Sequence, residues 1–230
     1  MINWTKKDKE FLYEICEKLR DQVPFAFSRF GDGEWLAISQ TRPDGVNCDG
    51  NKFYADLGKR LEEIVSKKQD YYIGHQNVNA KDSGINYWRR ISFNYLQDWV
   101  NSDIFHELSE MQGLDYIFDL LNSVHVVYIG NESLSPLPFV DEFIEIPYNN
   151  VWDDYDNVLN EIKNKINDDI HKTFLLSAGM ACEVFVHDLW NFNKNNTYID
   201  VGSVFDPYVG KKTRSYHHRL QHVSNIFQLH

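Results

Sequence analysis

A chain of 230 residues with 43% hydrophobic and 15% aromatic content carries enough apolar mass for one sizeable buried core, which excludes a disordered or low-complexity protein. The formal net charge of −11 argues against a broad nucleic-acid-binding face, because neutralising phosphates takes clustered Lys and Arg. Cys16, Cys48 and Cys182 stand in no C-x-x-C spacing and read as structural thiols of a reducing compartment rather than a disulfide framework. The N-terminus lacks the apolar core of a signal peptide, and no run approaches the roughly 18 apolar residues of a membrane span. The expectation is a soluble, cytoplasmic protein with a single domain over residues 1–230, ending in a basic segment at 209–230.

Thr5 can cap a first helix reaching about Arg20, with Phe11, Leu12, Ile15 and Leu19 on one face at helical spacing. Residues 24–27 are short, apolar and turn-bounded, which predicts a buried strand. Beyond it the chain reads Phe27-Ser-Arg-Phe-Gly-Asp-Gly-Glu-Trp35, where two glycines alternate with two acids. A short helix over 34–39 and a turn-rich stretch over 41–50 follow, the latter either a surface connection or a loop able to close over a ligand. Residues 52–68 are helical by pattern, with Phe53, Leu57, Leu61, Ile64 and Val65 in one stripe. They lead to a second strand at 71–75, and His75, Gln76 and Asn77 then fall on a loop as either hydrogen-bonded structural groups or substrate contacts.

Residues 83–122 read as two or three aromatic-rich helices, within which Arg89 and Arg90 are either solvated or within reach of a diphosphate. A strongly β-forming run at 124–130 ends in Gly130, and no G-x-G-x-x-G follows, so a dinucleotide fold is poorly supported. A strand at 142–147 and a helix at 153–168 come next. A strand at 173–178 then joins directly to a helix opened by Gly179, and the last strand, at 197–202, is followed by Ser203 and Asp206. Strands separated mostly by helices predict an α/β, Rossmann-like three-layer fold with a mostly parallel central sheet flanked by helices. Gly31, Gly74, Gly130, Gly179 and Gly202 would then gather on one edge of the sheet, the edge where open α/β sheets bind ligands.

Asp32 and Glu34, at that edge, offer hard oxygen ligands suited to Mn²⁺ or Mg²⁺ if the backbone there is extended or turning. The same residues fit a second reading, in which Asp32 caps a helix starting at Gly33 and Glu34 faces the positive end of its dipole. Spacing does not separate the two. Ser177 to Met180 form a small-residue turn before a helix, which suits either a diphosphate or ribose, or close packing of helix on strand. The tail sets Lys211, Lys212, Arg214, His217, His218 and Arg219 within nine positions, as a solvated basic end or a set of cations for a diphosphate.

The stretch Phe-Ser-Arg-Phe-Gly-Asp-Gly-Glu resembles the opening motif of the GT-D type glycosyltransferases, first recorded as a domain of unknown function. The Leu-Ser-Ala-Gly join at 176–179 and the Ile-Asp-Val-Gly-Ser-Val-Phe-Asp segment at 199–206 are similar to further parts of that family. The resemblance implies a GT-D like fold and a hexosyltransferase using a nucleoside diphosphate sugar, with a lean toward UDP, and a glycan or glycoprotein hydroxyl as acceptor. It implies that Asp32 and Glu34 hold the divalent metal. Donor contacts are then expected from Arg29, Gly31, Gly33, Ser177, Gly179, Ser203, Lys212 and Arg214. Family members often carry His where this chain has Ser203, so that base does not transfer, and Asp206, His217 and His218 are the remaining candidates for taking the acceptor proton. Two other classes stay open: a metal-dependent hydrolase or nucleotidyl-transfer enzyme, and a catalytically silent glycan- or nucleotide-binding module.

Overall fold

The computed structural model describes residues 2, 4–40, 45–75, 97–166 and 169–220. Helix α1 (Lys6–Arg20) starts at the expected cap: Thr5 Oγ1 accepts from the Asp8 backbone N–H at 3.2 Å and Asp8 Oδ2 returns the bond to Thr5 N at 2.8 Å. Its buried side is Phe11, Ile15 and Leu19. The other α-helices among the described residues are α2 (Asp32–Ser39), α3 (Ala55–Val65), α4 (Ile104–Glu110), α5 (Asp115–Leu121), α6 (Tyr155–Asn164) and α7 (Cys182–Phe192). Among the described residues, none is long and apolar enough to cross a membrane.

The strands among the described residues are β1 (Ala26–Phe30), β2 (Tyr72–His75), β3 (Val100–Asn101), β4 (Val126–Gly130), β5 (Glu142–Glu145), β6 (Thr173–Leu176) and β7 (Thr197–Asp200). They form one sheet in the order β3-β2-β1-β7-β6-β4-β5, and every pairing is parallel. Phe27 stands opposite Tyr72 on one side and Ile199 on the other, and Leu175 lies between Tyr128 and Ile199. Both faces are covered, as all-parallel sheets require. Phe30, Val127, Ile129, Phe174, Leu176 and Tyr198 point into a core with α2, α3, α6 and α7. Phe27, Val126, Tyr128, Leu175 and Ile199 point into a second core with α1, α4 and α5. The expected three-layer α/β fold is what the chain adopts.

Several boundaries differ from expectation, for local reasons. The first strand begins and ends later than residues 24–27, so Ser28 and Arg29 belong to β1. The short strand β3 lies where the helical reading of 83–122 placed no strand; α4 and α5 fit that reading, while residues 83–96, with Arg89 and Arg90, lie outside the described residues, as do Gln76 and Asn77. His75 is the buried last residue of β2 rather than a loop residue. The helix expected over 153–168 is α6, preceded by a 3₁₀ turn at Val151–Asp154. Gly179 opens a 3₁₀ turn, Gly179–Ala181, and the α-helix starts only at Cys182.

Two glycines allow close approaches that position the functional edge. A Cβ on Gly58 of α3 would overlap the Ala37 carbonyl of α2, so the two helices pack backbone to backbone. Gly202, just past β7, has φ +53°, and a Cβ there would overlap the Arg29 guanidinium.

Candidate functional site

The chain leaves β1 toward β2, away from β7, and the connections after β4 and β6 diverge from each other. Such divergence opens crevices at the carboxyl ends of a parallel sheet. A cavity lies in each. The larger, about 630 Å³, is lined from β1 and α2 by Arg29 and Gly31 to Glu34, from β7 by Asp200, and from the C-terminal segment by Arg214 and Tyr216. The smaller, about 110 Å³, lies beyond β4, β5 and β6 and is lined by Asn51, Asn131, Tyr148, Ser177, Asp206 and Lys211, among others. Gly179, Gly202, Ser203, Asp49 and Arg214 border both.

Asp32 and Glu34 do not sit on an extended loop. Gly31 is the N-cap of α2, which starts at Asp32 itself, so the helical reading holds with its cap one residue earlier. Two residues apart in a helical turn, the acids diverge by roughly 200°. Asp32 is exposed, and Glu34 is buried with Oε2 accepting from Gly31 N at 2.7 Å. Both still line the larger cavity. Burial, opposed by the Gly31 N–H and aided by Asp200 and Asp32, pushes the Glu34 carboxyl up to about 7.

Beneath them lie two acids that sequence reasoning missed. Glu183, from the first turn of α7, is buried with no N–H donor on Oε2, and its carboxyl faces that of Asp200. Burial, followed by Glu34 and Asp200, drives Glu183 well above the carboxylate range. Asp200 is raised by burial too, and Arg29 holds it back from 3.8 Å. Arg29 is thus the ion-pair partner of Asp200 and Asp103, not of the motif acids; it also donates to Ser102 O at 2.6 Å and meets His106 Nδ1 at 2.8 Å. Burial, then Arg29 and Arg214, depress His106 well below the usual imidazole value. The one sequence signal for these acids was a charge within an otherwise apolar run: Glu183 in Met180 to Val186, and Asp200 in Tyr198 to Val201.

The basic tail divides. Arg214 reaches the cleft and grips the Asp49 carboxylate with Nη1 and Nη2, the latter at 2.6 Å from Oδ2, while Nε donates to Ser203 Oγ at 3.3 Å. Arg219 lines the larger cavity and pairs with Glu110 at 2.7 Å, and Lys211 lines the smaller one and donates to Asn131 Oδ1 at 2.9 Å. Lys212 and His218 are exposed and border neither cavity. His217 is fully buried, its Nδ1 accepting from the Thr213 and Arg214 amides, and burial with Arg214 brings it down to about 4. It therefore shapes the segment from within, and of the three expected bases only Asp206 borders a cavity. The Asp206 carboxyl accepts from Thr213 Oγ1 and is raised by burial. Ser177 Oγ is committed to Gly202 O at 2.6 Å and Tyr128 OH at 2.7 Å, so it ties β4, β6 and β7 together. Gly33 is buried against Met180, and Gly179, at φ +58°, faces Asn51.

Asp32 and Glu34 give two oxygen donors on the cavity wall, and no three His, Cys, Asp or Glu side chains among the described residues form a ready-made cation cage. Each carboxylate is a hard oxygen donor of the kind Mg²⁺ takes alongside phosphate oxygens and water, but their divergence on α2 presents them to the cavity separately rather than as a joined pair.

An open parallel sheet with helices on both faces and an acid-lined cleft at its carboxyl edge defines an α/β three-layer domain. Its chain path is shared with three solved structures. One is described as a new glycosyltransferase (DUF1792) from Streptococcus sanguinis, with a TM-score of 0.62, 15% identity and coverage of 84% of this chain and 80% of that one. A selenomethionine-substituted structure of domain of unknown function 1792 gives 0.59, 18% identity and coverage of 86% and 82%. A structure described as showing that this highly conserved domain has a distinct glycosyltransferase fold gives 0.57, 18% identity and coverage of 82% and 76%. The fold implied by the Phe27 to Glu34 resemblance is the fold of these structures. No family profile and no curated protein matches the sequence.

Proposed function

We propose that the chain is a metal-dependent glycosyltransferase that moves a hexose from a nucleoside diphosphate sugar, with UDP the expected nucleotide, to a hydroxyl of a glycan or glycoprotein acceptor. The observation that carries this reading is the pair Asp32 and Glu34 on the wall of a cleft of about 630 Å³, in a fold shared with structures described as glycosyltransferases. Mn²⁺ or Mg²⁺ held by these two acids would offset charge building on the diphosphate as the glycosidic bond breaks.

The chain's own groups do the rest. Glu34, whose carboxylate is fixed by the Gly31 N–H, and the exposed Asp32 are the residues that would hold such a cation. Arg214, whose planar fork here holds the Asp49 carboxylate, would offer the same fork to the leaving diphosphate. Arg29, anchored by Ser102 and His106, sets the floor of the cleft through Asp200. As the acceptor oxygen bonds to the sugar's anomeric carbon and the carbon–oxygen bond to the diphosphate breaks, Asp206 takes the hydroxyl proton, a role its raised affinity for protons suits. Asp32→Ala should lower Mn²⁺-dependent turnover of a UDP-sugar by at least about 100-fold without shifting the melting temperature. Retained turnover, or release of free sugar at the same rate with and without acceptor, would contradict the assignment.

A further inference from the structure

Among the residues that border both cavities, two are charged and form an ion pair. Asp49 and Arg214 border both, and Arg214 engages Asp49 through Nη1 and Nη2, with Nη1 also 3.2 Å from Cys48 Sγ. A carboxylate bound to both Nη groups takes the edge of the guanidinium that a phosphate would take. We propose that Asp49 is an internal stand-in for a ligand's phosphate: it occupies the Arg214 fork until an incoming diphosphate replaces it, and the exchange joins the two cavities into one groove. This rests on the donor reading above and adds a residue to it.

The backbones on either side are held without the ion pair. Asn47 Oδ1 accepts from Asp49 N at 2.9 Å and from Asn51 N at 3.0 Å, and Asn51 Oδ1 accepts from Asn150 N at 2.8 Å. Across the cleft, His217 Nδ1 accepts from the Thr213 and Arg214 amides at 3.1 and 3.2 Å. What is left to move is the Arg214 side chain. Its departure leaves Asp49 without a counter-charge, so an exchange is favourable only for a ligand that brings more negative charge than one carboxylate. The pair thereby selects diphosphates over singly charged anions, and Asp49 acts as a positioning residue through Arg214.

Calorimetry with inorganic pyrophosphate, with and without Mn²⁺, tests this on the wild-type chain, Asp49→Asn and Arg214→Ala. Alkylation of Cys48 provides a readout independent of activity, since Cys16 and Cys182 are buried. Removing the competing charge should tighten pyrophosphate binding roughly two- to fivefold, the scale of one part-exposed ion pair. Arg214→Ala should weaken it, and pyrophosphate should change the Cys48 alkylation rate in the wild type but not in Arg214→Ala. Should Asp49→Asn lower the melting temperature, Asp49→Ser, which keeps a turn-forming side chain, repeats the measurement. Equal or weaker binding by the Asp49 variants overturns the exchange and leaves Asp49 a plain support for Arg214. Absence of pyrophosphate and UDP binding in the wild type with Mn²⁺ overturns the donor reading as well.

Discussion

Glu34 and Glu142 are the same residue type near opposite edges of one sheet, and their surroundings push them in opposite directions. Glu142, the first residue of β5, is met by Lys172 at 2.6 Å, His125 at 2.9 Å and Lys165 at 3.1 Å, and these partners, Lys172 foremost, bring its carboxyl down to about 2. Glu34 has a backbone N–H and two further acids for neighbours, and burial raises it to about 7. At the amino edge, charge is neutralised within the chain. At the carboxyl edge, neutralisation is left to protons or to something bound, which is what a binding site costs the fold.

The contrast can be broken most forcefully through the backbone beneath the cleft. Gly202→Ala sets a Cβ into the Arg29 guanidinium at a positive φ, and should destabilise the chain by roughly 1–3 kcal/mol in thermal or urea unfolding. The same change should displace Arg29 from Asp200, with donor turnover falling by more than the stability loss explains. Next in size is the pH dependence of Glu34. A carboxyl whose folded value lies above its unfolded 4.5 binds more protons when folded, so it withdraws stability as pH rises from about 4.5 to about 7. In metal-free protein, Glu34→Gln should flatten that decline and raise stability at pH 8 by on the order of 1–3 kcal/mol, measured by denaturant titration. A variant as pH-sensitive as the wild type would remove Glu34 from the comparison. Glu142 runs the other way: its contribution is present above about 4.5 and is lost as pH falls toward 2. Lys172→Met, which leaves Glu142 with its two other partners, should cost about 1 kcal/mol at neutral pH, with no effect on Mn²⁺ affinity.

The fold was legible because most strands, β1, β4, β6 and β7 among them, are short apolar runs with a turn after them, and the long helices carry a stripe, as in Leu57, Leu61, Ile64 and Val65. The order of strands was not, since β7 reaches β1 only through pairings remote in the chain. At the site, the Asp-Gly-Glu stretch located the cleft, yet spacing could not tell a loop from the helix turn that separates the two acids. Glu183 and Asp200 passed for ordinary members of apolar elements, because a single charge in such a run reveals nothing of the face it points to. Asp49 had no signal at all: its partner lies 165 positions away. His217 misled for the opposite reason, a titratable ring in a basic stretch that the fold turns inward to hold two amides.

The backbone contact between Gly58 and Ala37 has an implication for redesign. Since no side chain separates α2 from α3 at Gly58, a shift there passes directly to α2, and the aim of its first residue is set in part from the far end of that helix. Bulk added at position 58, which is itself no part of the cleft's lining, is a lever that would tilt α2 and with it Asp32, and it offers a way to reshape the cleft from a distance.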